Sequence, residues 1–277
     1  MFQKFIYILL LIFFTFGCSK EEPESNIPGN KEQAFEIYSE AIKLMQESEF
    51  MMASKKFSEA EIILPKIEQS AKASLMSSFC LYSIRFYPEA IQGLERFISS
   101  YPVDKNIAYA HYLITLSLYE QILDETKDIN PLIQTKEKIQ FFLKEFPGTD
   151  YSLDLQFKLD LINNQLAAKE LYIAKYYIEV KKWIPAINRL KIIVNDYNET
   201  IFIEEALHRL VEVYYNVGLV EEARNAAVLL GYNYNSSKWY KQSYQLLNKN
   251  YQMPVLQKTK KNNESLIKKT INKILNK

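Results

Sequence analysis

One pattern of small and apolar positions recurs five times along the chain. Each copy has a small residue, apolar residues four and seven positions later, and a Pro or Asn twelve positions later. Positions 0, 4 and 7 share one face of a helix, so the small residue lets a preceding antiparallel helix approach closely. Pro or Asn then ends the helix, because Pro disfavours helical geometry in the preceding residue and Asn suits turns. The copies are Ala53, Phe57, Ala60 and Pro65; Ala90, Leu94, Phe97 and Pro102; Thr135, Ile139, Phe142 and Pro147; Ala186, Leu190, Ile193 and Asn198; and Ala223, Ala227, Leu230 and Asn235.

An apolar helix is predicted upstream of each copy, so that the two helices of each pair form a hairpin. These first helices are Phe35–Met45, Ala73–Tyr82, Ala108–Leu118, Glu170–Ile178 and Ala206–Tyr215. The spacing is tetratricopeptide-like, and the predicted fold is therefore an all-α solenoid of five helical hairpins. A C-terminal capping helix is predicted over Ser236–Lys249, starting with a Ser N-cap.

Two insertions interrupt the regular spacing. Asp124–Pro131 is predicted as a polar loop inside the third hairpin, and Tyr151–Ala168 as helix that continues into the fourth hairpin. We therefore assign hairpins one to three to residues 31–148, and hairpins four and five with the cap to residues 149–250. A separate tail follows over residues 251–277.

The N-terminal segment has the pattern of a cleaved export signal. Lys4 precedes twelve apolar or nearly apolar residues, Phe5–Phe16. As a helix they would extend for about 18 Å, too short for a hydrocarbon core of about 30 Å, which favours a signal peptide over a membrane span. Gly17 followed by Cys18 resembles the lipobox of bacterial lipoproteins, in which cleavage exposes a cysteine for acylation. An ordinary secreted protein with an incidental cysteine is the alternative.

This interpretation makes residues 1–17 a lipoprotein signal peptide and Cys18 a lipidated residue, with a covalent N-acyl diacylglycerol as its expected modification. Residues 18–30 are polar and rich in helix breakers, which predicts a flexible tether. Each buried acyl CH₂ contributes about 0.8 kcal/mol, so several chains hold a domain at a bilayer surface. Ser19 after the cysteine resembles lipoproteins sorted to the outer membrane, and the expected location is its periplasmic face.

The C-terminal tail is basic. Residues 255–277 contain seven Lys against one Glu, a net charge of +6. Five positions would share one stripe of a basic amphipathic helix. Contact with anionic lipid or an acidic partner is one interpretation, and a solvated tail that docks weakly on the rest of the chain is the other. The stripe positions are Leu266, Ile267, Thr270, Ile271 and Ile274.

Composition argues against catalysis and against binding of nucleic acid. Lys and Arg number 34 and Asp and Glu 33, so the net charge of +1 gives no overall attraction to nucleic acid. A hydrophobic content of 48% excludes a disordered chain, whereas two His and two Cys leave few metal ligands or nucleophiles. Phosphate-loop, dinucleotide-binding, zinc-protease and C-x-x-C motifs are all missing from the sequence.

The remaining polar candidates have structural explanations. His111 and His208 fall in predicted helices of different hairpins, and Cys80 lies in an apolar helical run, where a core thiol is expected. The acidic pairs Glu204–Glu205 and Glu221–Glu222 lie at predicted helix starts, where carboxylates stabilise the helix dipole. The sequence therefore predicts no catalytic residue, no metal site and no cofactor.

Stacked hairpins present a concave face lined by their first helices, which suits an extended peptide or a partner domain. Tyr38, Tyr82, Tyr112 and Tyr119 fall in or near the first helices of hairpins one to three. Tyrosine offers a large, stiff contact area with a polar tip, so these residues are the candidate groove. Packing between helices is the alternative role for the same side chains.

Five strings in the second half of the chain indicate a family. Together with the lipobox and the repeats, they resemble the BamD (YfiO) family of lipoproteins of the outer-membrane β-barrel assembly machine, over residues 32–249. The strings are ELYIAKYYI (170–178), WIPAINRL (183–190), NDYNET (195–200), EEALHRLVEVY (204–214) and LGYNYNSSKWY (230–240).

The resemblance implies a non-catalytic scaffold. Residues 31–148 would recognise C-terminal segments of unfolded β-barrel precursors, and residues 149–250 would dock on the periplasmic domains of the barrel-forming subunit BamA, beside other lipoproteins of the complex. It places Arg189, Asp196 and Tyr197 near the BamA contact. Two other classes stay open at this point. One is a helical-repeat envelope lipoprotein that coordinates cell-wall or division proteins, and the other is a cell-wall hydrolase, for which the repeats leave no room.

Overall fold

The computed structural model describes residues 31–122, 129–235 and 237–248. Eleven helices and no strand lie in these ranges, so the predicted all-α class is confirmed. The helices are α1 (Lys31–Gln46), α2 (Phe50–Ile63), α3 (Ile67–Ser83), α4 (Tyr87–Ser100), α5 (Ile107–Glu120), α6 (Asn130–Glu145), α7 (Asp150–Glu179), α8 (Trp183–Asp196), α9 (Ile203–Asn216), α10 (Val220–Tyr234) and α11 (Lys238–Leu247).

The repeated pattern marks the inner face of five of these helices. Its small and apolar positions fall on α2, α4, α6, α8 and α10, and all fifteen have an exposed fraction of 1% or less. The turn residues lie just past the helix ends: Pro65, Pro102, Pro147 and Asn198 two residues beyond, and Asn235 one residue beyond. The pattern therefore encodes both the buried face and the end of each of these helices. The grouping into five tetratricopeptide-like repeats stays a prediction.

The first of two compact units comprises residues 1–162. Each helix from α1 to α5 packs against the next one along the chain. Cys80 is fully buried among alanines and Phe57, and this burial raises the pKa of its thiol to about 11. An inert core thiol, as predicted, fits this environment. At Gly93 of α4 an added Cβ would collide with the Ser78 hydroxyl of α3, so the two helices approach closely at this point.

The second unit comprises residues 163–277. Helix α9 packs against α8 and α10, and α11 lies against both α9 and α10. The α11 start is capped as the sequence predicts, although by Ser237, whose Oγ accepts a hydrogen bond from the Tyr240 amide at 3.1 Å. The approach of α11 to α10 is close, because a Cβ on Gly231 would lie 2.6 Å from Cε2 of Tyr240.

Helix α7 is continuous over Asp150–Glu179, in agreement with the helix predicted over Tyr151–Ala168. The division into units falls inside it, between residues 162 and 163, whereas the repeat pattern places its boundary between residues 148 and 149. The repeat boundary is set by the pairing of helices into hairpins, whereas the unit boundary is set by the core in which each residue packs. The separate roles predicted for residues 31–148 and 149–250 therefore stay predictions.

Some sequence predictions concern other parts of the chain. The signal peptide, Cys18, the tether and the basic tail lie outside the described residues. So does most of the predicted loop over Asp124–Pro131, except that Asn130 and Pro131 belong to α6. This is a correction with a simple cause, because Pro at the first positions of a helix loses no hydrogen bond. Within the described ranges no helix has both the length and the apolar character that crossing a membrane requires.

Candidate functional site

The candidate site of the first unit is centred on Tyr112 of α5. Its hydroxyl donates a hydrogen bond to Oδ2 of Asp154 on α7 at 2.9 Å, and its ring stacks on Tyr151 with centroids 4.6 Å apart. Tyr109, one turn earlier on α5, lies 5.6 Å from the Tyr151 ring. Three aromatic rings and one carboxylate thus join α5 to the start of α7.

A lysine and a fourth tyrosine extend this arrangement. Lys158 Nζ lies 3.2 Å from Oδ1 of Asp154, so the carboxylate accepts from Tyr112 on one oxygen and from Lys158 on the other. The same ammonium lies 5.1 Å from the centroid of the Tyr119 ring. A cation near an aromatic face is attracted by the ring quadrupole, which holds Tyr119 next to Lys158.

Tyr82 of α3 completes what we name the tyrosine cluster: Tyr82, Tyr109, Tyr112, Tyr119 and Tyr151. Burial raises the pKa of Tyr82, and the negative charges of Glu120 and Asp154 raise it further. Burial and then the hydrogen bond to Asp154 raise the pKa of Tyr112. Both hydroxyls therefore stay protonated at neutral pH and act as hydrogen-bond donors.

The tyrosine cluster is suited to binding another molecule. All five side chains are half-buried, so each presents part of a ring and is held by its neighbours. Such rings give large contact areas at a low cost in conformational entropy. Across the described parts of the chain, moreover, no group of three or more His, Cys, Asp or Glu side chains is arranged to hold a metal ion.

The fourth tyrosine predicted for the groove occupies a different place. Tyr38 of α1 packs edge-to-face on Phe57 of α2, with centroids 5.4 Å apart and an interplanar angle of 71°. It belongs to the packing of the first two helices, beside Ala41 and Ala53. The structure thus brings Tyr82, Tyr112 and Tyr119 together and places Tyr38 elsewhere in the unit. Tyr109 and Tyr151, which sequence reasoning missed, lie against Tyr112.

The three residues predicted for the BamA contact lie together in the second unit. Arg189 Nη1 of α8 lies 3.0 and 3.2 Å from the two carboxylate oxygens of Glu170 on α7. Tyr197 follows α8, and its pKa is raised by burial and then by the charges of Asp196 and Glu170. Asp196 is exposed, and the Arg189 side chain is 40% exposed. We name these four residues the Glu170 patch; Glu170 was not among the predicted contact residues.

The histidines have packing roles. His111 lies between the rings of Phe141 and Phe146 at 5.3 and 5.4 Å, and burial, with a smaller effect of Lys138, lowers its pKa. His208 is buried under α11, where Nδ1 lies 2.8 Å from Oγ of Ser243. His208 and Ser243 are both buried, and His111 packs against aromatic rings, so neither histidine has the setting of a catalytic base in an open cleft.

The acidic pairs lie where the sequence places them, in the first turns of α9 and α10. Glu205 is held by Lys175 at 2.7 Å and by Arg209 at 3.4 Å, and Glu221 by Arg224 at 3.1 Å. These carboxylates are therefore engaged in ion pairs at helix starts, in addition to stabilising the helix dipole.

Comparison with known proteins agrees with these features. Residues 30–229 match the model of the YfiO family, described as an outer membrane lipoprotein. The chain is 36% identical over 249 residues to the outer membrane protein assembly factor BamD of Rickettsia prowazekii, a match that covers 90% of this chain and 98% of that protein. It is 32% identical over 244 residues to the assembly factor BamD of Caulobacter vibrioides, covering 88% and 80% of the two chains. The chain therefore belongs to the YfiO family of outer membrane lipoproteins.

Proposed function

We propose that this chain is a non-catalytic lipoprotein scaffold for the assembly of β-barrel proteins in the outer membrane. In this proposal it is anchored at the periplasmic face through acylated Cys18, and it binds the barrel-forming subunit BamA and unfolded precursors. The observation that carries the proposal is the match to an assembly factor over 98% of that protein's length. The tyrosine cluster and the Glu170 patch, two surfaces suited to binding, support the same role.

The tyrosine cluster is the proposed site for precursor segments. A strand-forming segment alternates apolar and polar side chains, so one of its faces is apolar. Half-buried tyrosine rings fit that face, and the protonated hydroxyl of Tyr82 can donate to a carbonyl group of an extended backbone, whereas that of Tyr112 already donates to Asp154. Lys158 adds a cation beside Tyr119, suited to a terminal carboxylate of the segment.

The Glu170 patch is the proposed contact with BamA. Arg189 is held by Glu170 but is still 40% exposed, so its remaining N–H groups can reach a partner. Arginine and tyrosine are enriched among residues that carry binding energy at protein interfaces. Asp196 is exposed beside Tyr197 and adds an acceptor of opposite charge.

Affinity purification of the full chain from detergent-solubilised outer membrane tests the BamA contact. We expect the barrel-forming subunit to copurify with the native chain, and Arg189→Ala to reduce its recovery. Arg224→Ala, which removes an exposed arginine of α10 paired with Glu221, is the matched control and should leave recovery unchanged. Recovery of cell-wall or division proteins alone would favour the other helical-repeat scaffold and refute the assembly role.

Precursor recognition has a separate test. A fluorescent peptide with the C-terminal sequence of a β-barrel protein is titrated with the full chain, and binding is followed by anisotropy. We expect Tyr119→Ala to weaken binding by about tenfold, since loss of an interface aromatic costs 1 to 2 kcal/mol or more. Tyr232→Ala, at an 87% exposed position of α10, is the control. Equal affinities of both variants would show that the tyrosine cluster is not the binding site.

A further inference from the structure

The first half of α7 carries a second apolar face that is not covered by the residues the structure describes. Leu153, Phe157 and Leu161 are spaced by four residues and therefore share one side of the helix. Their exposed fractions are 77%, 62% and 39%. We name these three residues the α7 stripe. The core of the first unit is contacted by a different face of the same helix, made of Leu155, Leu159 and Ile162.

Carboxylates flank the α7 stripe on both sides. At 100° per residue, Asp154 lies along one edge and Asp160 along the other, and Asp150 lies at the N-terminal end of the stripe. Residues 150–162 contain three Asp against one Lys, and that lysine, Lys158, is paired with Asp154. The net charge of residues 31–162 is also negative, because they contain 20 Asp and Glu against 14 Lys and Arg.

This combination of apolar and acidic groups restricts what can cover the stripe. An anionic membrane surface would be repelled by the flanking aspartates. A second copy that docked through the same stripe would bring two acidic rows together, and like charges facing each other across an interface are unfavourable. Ridges of residues four apart pack well into the groove of another helix, and charge complementarity then requires basic flanks on that helix.

We infer that the α7 stripe binds a basic amphipathic helix of a partner protein, one with apolar residues three and four apart and Lys or Arg on either side. The inference stands apart from the proposed function, because it uses neither the precursor segment nor the Glu170 patch. It identifies a docking surface for a further protein in the first unit.

The test uses the full chain and a synthetic peptide of about 18 residues, long enough to form a helix on binding. The peptide contains only leucine and lysine in an amphipathic order, and the matched peptide has glutamate in place of every lysine. We expect the lysine peptide to bind, with an affinity that falls as salt is raised, and the glutamate peptide to bind at least tenfold more weakly.

Variants of the chain locate the site. Phe157→Asp should weaken binding of the lysine peptide by about tenfold or more, since it puts a charge at the centre of the contact. Ile62→Asp, at a 69% exposed position of α2 in the same unit, is the matched control and should leave binding unchanged. Asp160→Lys should weaken the lysine peptide and strengthen the glutamate peptide.

Four results would overturn the inference. Equal binding of the two peptides would remove the charge argument, and unchanged binding to Phe157→Asp would place the site elsewhere. Competition by an extended peptide of alternating apolar and polar residues would assign the stripe to strand segments instead. Self-association of the chain that Phe157→Asp abolishes, measured by sedimentation without peptide, would identify a second copy as the occupant. Loss of precursor binding in Tyr119→Ala leaves the inference unaffected.

Discussion

The hydrogen bond between Tyr112 and Asp154 can be measured directly with a double-mutant cycle. Tyr112→Phe removes the donor and keeps the ring on Tyr151, and Asp154→Asn removes the charge and keeps the shape. The 2.9 Å bond has an ionised acceptor, and such bonds contribute about 1.5 to 3 kcal/mol to stability. Because Asp154 is 37% exposed and also accepts from Lys158, water competes, and we expect a coupling near the lower limit, about 1 to 2 kcal/mol.

The assay is urea unfolding of the four proteins of this cycle, monitored by hydrogen exchange of the amides of α5 and of residues 150–162 of α7, so that the first unit is observed by itself. Tyr101→Phe and Glu61→Gln form the reference cycle, because Tyr101 donates to Glu61 at 3.1 Å in the same unit. A coupling below about 0.3 kcal/mol for Tyr112 and Asp154, within the additivity error of distant sites, would refute the role of this bond in joining α5 to α7.

Three further predictions concern pH, the capping helix and the anchor. Burial and then Glu61 raise the pKa of Tyr101 to about 12, so stability present below pH 10 should be lost as pH rises from 10 to 12, and Tyr101→Phe should reduce this alkaline loss in denaturation at graded pH. Gly231→Ala should destabilise α11 docking by about 1 kcal/mol through its contact with Tyr240, measured by exchange of residues 238–247, and Tyr240→Ala should relieve it. Cys18→Ala should release the chain into the soluble periplasmic fraction, and unchanged membrane retention would assign the anchor to the basic tail.

The helical face was predictable because its signal is local. A small residue with apolar residues four and seven positions later defines one face of a single helix. Burial of all fifteen such positions follows from helix geometry. The same reasoning applies to Tyr38, because Ala34, Tyr38 and Ala41 have this very spacing, and both alanines are fully buried. The inward position of Tyr38 could therefore have been predicted from the pattern used for the second helices.

The members of the tyrosine cluster were harder to predict from the sequence. Tyr151 stacks on Tyr112 from 39 positions away, and the register between α5 and α7 depends on how α6 and the loops around it return the chain. No motif in the sequence specifies that register. The pairing of Arg189 with Glu170 is similar, because both residues stood in recognisable strings, but their contact depends on the packing of α7 against α8.

The α7 stripe shows where a sequence pattern is ambiguous for a physical reason. Apolar residues occur on two faces of this helix, and periodicity alone cannot tell which face joins the core, because both have helical spacing. Core packing resolves the ambiguity by burying Leu155, Leu159 and Ile162 and leaving Phe157 exposed. Exposed apolar side chains cost free energy in water unless they are covered, so a stripe that the described residues leave open is explained by a partner. If Phe157→Asp stabilised the isolated chain and left every peptide affinity unchanged, that explanation would be wrong, and the second apolar face would have no binding role.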